Sequence, residues 1–569
     1  MIFLLVFALL PIYSNESVKA AVQSSYFVST SGNDLNPGSK EHPWKTIQKA
    51  ANTLVAGDTV FVRGGIYSEF VQIKNKGTKD AGPITFSAYP GEKPIIDGTN
   101  LTMGSGKSAL LYLSNASYVT VDGFELRNLT SKSSSHYPAG IRIREGGQHI
   151  QLLNNNVHDI SVPLSGGNGH GIHVYGNSSS SIRNIIIRNN EVHHLNTGRS
   201  EALTLSGNID GFTVDHNQVH DNNNIGIDIA GFYGACTNCI DQARNGVVTD
   251  NLVYNNSSVK NPAYGGVYAA GGIYADGATN VVIERNISYG NDFGIELASE
   301  NKGKQTSNII VRNNLIRHNN AAGIIMGGAS SANGGSTKNL ILNNSLIEND
   351  QLNQGYGEIT LQWNNVDNQI LNNILVNKSN KVFVQKNNTS GSGNTVDYNL
   401  LFSSIKQDST HWKWQGTSYS SWDLYQKATG HDSHSIFANP KFASPDEFNY
   451  RLLNNSPGLN IGKTLANSVG VFDLVSNTRI QGSAIDIGAY ENQAGFVPLK
   501  DTFTTPSKVI PIAVPDSIVK QNTSVDWSKI STLSKSATKS LKASKDDISL
   551  YLKVEGSMLN QKGQFYLNT

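Results

Sequence analysis

The run Ile185-Ile-Ile-Arg-Asn-Asn-Glu-Val-His-His-Leu195 decides the fold, because the chain keeps repeating it. The same pattern stands at 150–160 (IQLLNNNVHDI), 212–222 (FTVDHNQVHDN), 281–291 (VVIERNISYGN) and 309–319 (IIVRNNLIRHN). An alternating apolar run leads to an asparagine at a fixed place, and another apolar residue follows. Aligned this way, Asn155, Asn190, Asn217, Asn251, Asn286 and Asn314 form one column, spaced 35, 27, 34, 35 and 28 residues apart. A second column lies upstream: Gly140-Ile-Arg-Ile, Gly171-Ile-His-Val, Ala202-Leu-Thr-Leu, Gly226-Ile-Asp-Ile, Gly272-Ile-Tyr-Ala, Gly294-Ile-Glu-Leu and Gly323-Ile-Ile-Met. Short alternating strands at this period bury a face only when stacked on one another. Asparagine suits the turns, since it tolerates left-handed backbone and bonds to nearby backbone groups. In register its side chains also bond along the stack. Four-stranded propeller blades want a steadier, longer period, so the pattern predicts an all-β, right-handed parallel β-helix with loops of unequal length.

Composition narrows the function classes. The 569 residues carry 45 Lys+Arg against 44 Asp+Glu, a net charge of +1. That balance offers no footprint for nucleic acid or an anionic membrane. Charged residues are only 16%, against a coiled coil, while 54 glycines fit many turns. No internal segment reaches the length of a membrane span. The apolar run IFLLVFALLPIYS with Ala20-Ala21 behind it predicts a signal peptide over 1–20 and a secreted, soluble, monomeric chain.

Outward from the repeats, the ends also fit. Ile47, Ala50, Ala51 and Leu54 share one helical face with Gly57 beyond, which predicts a helix covering the first rung. The expected order is an N-terminal cap and first rungs over 25–100 and the β-helix over 101–495. A Thr/Ser/Pro/Lys linker over 496–524 and a small incomplete β module over 525–569 follow. Two cysteines make no scaffold, but Cys236-Thr-Asn-Cys239 in an exported chain predicts a local disulfide over a zinc site.

Alternation places the candidate site. If Ile227, Ile273 and Ile295 face the core, the outward column reads Arg142, His173, Thr204, Asp228, Tyr274, Glu296. A parallel column two residues on reads Arg144, Tyr175, Ser206, Ala230, Asp276, Ala298. With Glu201 and Glu300 at the strand ends, five carboxylates converge near Tyr274, His173 and His170. Such a cluster repels itself unless a cation or catalysis requires it. Asp228, Tyr274, Asp276 and Glu296 are therefore the candidate catalytic residues, and Arg142, His173, Tyr175 and Glu300 the candidate substrate contacts. His158, His193, His194 and His220 are expected to decorate turns beside the asparagine column.

The opening segments Tyr26-Phe-Val-Ser-Thr-Ser-Gly-Asn-Asp, Asn36-Pro-Gly, Pro43-Trp-Lys-Thr-Ile-Gln-Lys-Ala, Gly57-Asp-Thr-Val-Phe-Val-Arg-Gly-Gly and Gly91-Glu-Lys-Pro are distinctive. With the closing Ser456-Pro-Gly-Leu and Asp486-Ile-Gly-Ala-Tyr-Glu491, they resemble secreted bacterial β-helix proteins related to polysaccharide lyase family 9. The resemblance covers roughly residues 25–495. It implies extracellular, calcium-dependent β-elimination on an acidic polysaccharide such as pectate. Carried over position by position, it implies calcium ligands at Glu201, Asn224 and Asp228, and it puts Tyr274 where the family keeps a lysine base. Three functions stay open: a polysaccharide lyase, a glycoside hydrolase using paired carboxylates, and a non-catalytic glycan-binding surface protein.

Overall fold

Three long parallel sheets run the length of the molecule, each strand pairing with its counterpart one turn away. The computed structural model describes residues 24–493, save 105–107, 378–381, 406, 408–409 and 466–467. The expected signal peptide, linker and C-terminal module lie outside the described residues. One sheet starts at Ser25–Val28 and a second at Gly65–Tyr67; the third holds Ala139–Arg144, His170–Gly176, Leu203–Gly207, Ile227–Ala230, Gly271–Asp276 and Phe293–Ala298. Ile and Val dominate the interior. Ile141, Ile172, Leu203, Ile227, Ile273 and Ile295 stack in register and are fully buried. The parallel β-helix predicted from the repeats is the observed fold.

The asparagine column is a continuous ladder. Each side-chain amide donates to the Oδ1 of the next member at 2.9–3.1 Å, from Asn155 through Asn190, Asn217, Asn251, Asn286, Asn314, Asn344 and Asn373 to Asn399. The turn chemistry differs from expectation in one respect. The left-handed residue is the one before each ladder asparagine, such as Asn154, Asn189, His216, Asp250 and Arg285. The ladder member itself contributes its side chain rather than an unusual backbone. A second ladder runs from Asn222 through Asn256, Asn291, Asn319 and Asn349 to Glu358.

Histidines expected on turns instead stack on a sheet. His158, His193, His220, Tyr254 and Tyr289 occupy one strand position on successive rungs, rings nearly parallel with centroids 4.5–5.1 Å apart. The Arg317 guanidinium closes the row over Tyr289 at 4.3 Å. Of the four histidines expected on turns, His194 alone is a turn residue, in left-handed conformation.

Both ends are covered. The helix Ile47–Thr53 is capped by Thr46, which accepts from the Lys49 amide, and buries Ile47, Ala50 and Ala51 over Val71–Ile73. At the other end Trp422–Thr429 starts at Ser421, stops at left-handed Gly430 and buries Trp422 and Tyr425 against His411–Trp414. The sequence predicts rungs as far as Tyr490, but parallel pairing ends at Ile436–Phe437. The chain then runs back along the turns, where Asn313 and Asn343 donate to Phe472 and Asp486 carbonyls. Among the described residues no helix is long and apolar enough to cross a membrane.

Candidate functional site

The register follows the alternation argument. Arg142, His173, Thr204, Asp228, Tyr274 and Glu296 are directly paired across successive strands. The second column pairs Arg144, Tyr175, Ser206 and Ala230, and Asp276 with Ala298. Outward does not mean exposed, however. Thr204, Asp228, Tyr274 and Asp276 are only 2–5% accessible.

Two loops cover them. The first, 231–242, is closed by the expected Cys236–Cys239 disulfide. Asp241 holds its bend by accepting from the Gly234 amide at 2.6 Å. The loop lays the Tyr233 hydroxyl on Asp276 Oδ2. The second loop, between Tyr254 and Gly271, is pinned by fully buried Asp292. That carboxylate accepts from the amides of Ser258, Ala269 and Ala270 and from the Ser257 hydroxyl. Tyr264 on this loop accepts from the Asn224 side-chain amide at 3.1 Å. The result is a cleft of about 890 Å³, walled by both loops and floored by the sheet.

Charge changes along the cleft floor. At the later rungs Glu201, Asp228, Asp276 and Glu300 line it, and among the described residues no basic side chain is in an ion pair with the last three. Burial, then the neighbouring Glu201 and Asp276, raise the Asp228 carboxyl well above its ordinary range. Burial and Glu300 do the same to Asp276. Glu201 is pushed up to about 7, chiefly by burial, although Thr204 donates to it at 3.0 Å. Tyr274 is raised well above 10 by burial, Asp276 and Glu296. At the middle rungs His170 and His173 stack at 3.9 Å; burial, aided by Arg142, drops His170 to about 3 and holds His173 well below its usual value, so both are neutral. At the earliest rung stand Arg142 and Arg144.

Of the predicted residues, Arg142, His173, Tyr175, Glu201, Asp228, Tyr274, Asp276 and Glu300 share this one cleft. Two do not line it. Glu296 pairs beside Tyr274 but lies off the wall, its carboxyl raised by burial and by Glu300 and Asp276. Asn224 is fully buried behind it. Sequence reasoning missed Tyr233, Arg199 and the pinning role of Asp292. Loop residues carry no periodic signal, and Asp292 is marked only by following the ladder residue Asn291.

The calcium ligands expected at Glu201, Asn224 and Asp228 suit a hard cation chemically. The Oδ1 atoms of Asn224 and Asp228 are buried without a hydrogen-bond partner, and Asn224 Nδ2 is committed to the Ser200 carbonyl and Tyr264. Among the described residues no group of three or more His, Cys, Asp or Glu side chains is placed to hold a metal. Two carboxyls and one amide fall short of the 6–8 oxygens that calcium takes, so water and substrate would have to complete the shell.

Residues 26–401 match the family described as Pel9A-like, right-handed β-helix region. A Bacillus subtilis protein described as uncharacterized protein YwoF is 38% identical over 431 residues, covering 76% of this chain and 91% of that one. Pectate lyase PEL9 of Emericella nidulans is 27% identical over 169 residues, 27% of this chain and 39% of that one. The crystal structure of pectate lyase Pel9A superposes with a TM-score of 0.45 at 15% identity, covering 83% of this chain and 97% of that one.

Proposed function

This chain belongs to the Pel9A-like right-handed β-helix family, and from that premise we propose that it is a secreted enzyme that cleaves a uronic-acid-containing polysaccharide by β-elimination. The observation that carries the proposal is the gathering of Glu201, Asp228, Asp276 and Glu300 in one roofed cleft. Burying mutually repelling carboxyls costs stability, and it is the arrangement that keeps an acid protonated near neutral pH.

In elimination a base removes the proton on the carbon next to the uronate carboxylate. The freed electron pair forms the carbon–carbon double bond and expels the glycosidic oxygen, which takes up a proton. Asp276, protonated and oriented by Tyr233 and the Glu300 amide, is the proton donor to that oxygen. Tyr274 occupies the base position. Its phenol is held protonated by burial and the surrounding carboxyls, so it needs those charges offset before it can act. A cation held by Glu201, Asn224 and Asp228 would offset them and neutralise the substrate carboxylate. Calorimetric titration is expected to show calcium binding at millimolar strength, abolished in Asp228→Ala; an absence of heat at millimolar calcium would remove the ion from this site.

The upward shift of Tyr274 favours a second reading, glycoside hydrolysis, with Asp276 as acid and Asp228 as the partner carboxylate. Incubation with polygalacturonate, alginate and neutral glycans separates the two. Elimination yields both new reducing ends and the ultraviolet absorbance of an unsaturated sugar. Hydrolysis yields reducing ends alone. Silence on every glycan would leave a binding protein.

A further inference from the structure

The early rungs of the cleft hold guanidinium groups that no carboxylate among the described residues pairs with. Arg142 is 5% exposed, yet its two terminal nitrogens donate only to the Ser108 hydroxyl at 2.8 Å and the Tyr137 carbonyl at 2.7 Å. Arg144 lies over the Tyr175 ring at 5.1 Å, with its Nε buried and without a partner. Arg199, on the cleft lining, bonds only the Ser165 carbonyl through Nε at 3.2 Å. Glu145, next in sequence to Arg144, turns instead to the hydroxyls of Tyr112 and Ser114.

Elsewhere on the solenoid most arginines are paired, Arg317, stacked on Tyr289 and Phe448, and Arg183, on the Ser181 hydroxyl, being exceptions. Arg63, Arg127, Arg188, Arg244, Arg285 and Arg312 all make ion pairs with carboxylates at 2.6–3.3 Å. A buried guanidinium without counter-charge is costly to the free protein. Burial and its neighbour Arg144 pull Arg142 down to about 10, which still leaves it charged at neutral pH. Its planar fork matches a carboxylate or sulfate oxygen pair.

We propose that Arg142 and Arg144, with Arg199 on the same cleft lining, form a seat for an anionic group carried on a sugar unit remote from the bond that is broken. This rests on the cleft being the polysaccharide site proposed above. Three rungs separate Arg142 from Asp228, through His173 and Thr204, and each step is about 4.8 Å, so the span is roughly 14 Å. From Arg144 to Asp276 the count is one rung greater, roughly 19 Å. Neutral His170 and His173 fill the interval, so an oligosaccharide lying along the floor meets cations, then uncharged rings, then acids. The seat therefore selects chains long enough to reach it, with a charge several units from the scissile linkage.

The test is binding of a length series of uronate oligomers to Asp276→Asn, which leaves them uncleaved, with and without Arg144→Ala or Arg199→Ala. Affinity is expected to rise sharply once the oligomer spans the cleft. Removing an arginine should weaken only those long oligomers, by about ten- to hundredfold, the worth of a hydrogen bond to a charged group. Sulfated and neutral oligomers of matched length identify the anion: binding of either acidic series with loss in the arginine variants supports the seat. Equal affinity of parent and arginine variants for every long acidic oligomer overturns it, as does binding of neutral chains just as tightly. Full activity of Asp276→Asn would instead sink the catalytic assignment, and the arginine variants would then be compared by KM against oligomer length, a rise confined to long acidic oligomers supporting the seat and an unchanged KM overturning it.

Discussion

Asp276→Asn is expected to lower turnover roughly 10²–10⁴-fold, the usual worth of a general acid. Geometry survives the change. Asp276 accepts from Tyr233 and from the Glu300 amide, and an asparagine serves both partners, its oxygen to the amide and its NH2 to the phenol oxygen. What disappears is the titrating proton. Stability should move the other way. The folded pKa of Asp276 lies above the unfolded value, so its favourable contribution is complete below the ordinary carboxylate range and is lost as pH rises. Asp228 behaves alike, and Glu201 adds its loss as pH rises from its ordinary 4.5 through about 7. Wild-type melting temperature should therefore fall from pH 5 to pH 8. Asp276→Asn should fall less and melt higher at the alkaline end, in melts recorded across that range without added calcium. Near-wild-type turnover by this variant would end its role as the acid. If Tyr274→Phe were then fully active too, the face would have to be abandoned as the catalytic centre.

The second large effect falls on the ladder. Asn217→Ala should cost about 3–5 kcal/mol, because several buried groups lose partners at once. The fully buried Asn217 side chain donates to the carbonyls of Ile187 at 2.9 Å and Asp215 at 3.1 Å, and to Asn251 at 3.0 Å. It also accepts from both the backbone and side-chain nitrogens of Asn190. Alanine leaves all of these without the partner they have in the ladder. Urea unfolding is the measurement, and Asn399→Ala, at the end of the ladder, is the control with the smaller expected loss. A cost below about 1 kcal/mol for Asn217→Ala would mean that backbone pairing alone carries the stack.

What the sequence disclosed was whatever recurs. The asparagine column and the Gly-Ile-x-Ile column carried the register and the neighbours of Asp228, since each repeat restates the same constraint. What it hid was whatever occurs once. The loops bearing Tyr233 and Tyr264 follow no period, so alternation pointed the carboxylates outward without showing that they are roofed. His158, His193 and His220 sit near turn asparagines in sequence but belong to the strand, and only the pairing register reveals their stack. The backward run after Phe437 escaped because its partners, such as Asn313 for Phe472 and Asn343 for Asp486, stand 159 and 143 residues earlier in the chain. The resemblance set Tyr274 at the family's lysine position, whereas the phenol's being made harder to ionise needed the surrounding charges.

The ladder has a direction as well as a length. Every amide from Asn155 to Asn373 gives its hydrogen toward the later rung and turns its carbonyl toward the earlier one. Aligned dipoles polarise one another, so the row acts as a chain of like-oriented magnets rather than as separate bonds. Its negative pole faces the N-terminal cap and its positive pole the C-terminal end. Flipping one member would set oxygen against oxygen on one side and NH2 against NH2 on the other. One asparagine therefore dictates the orientation of its neighbours, and the row holds a single collective state that no individual rung can leave alone.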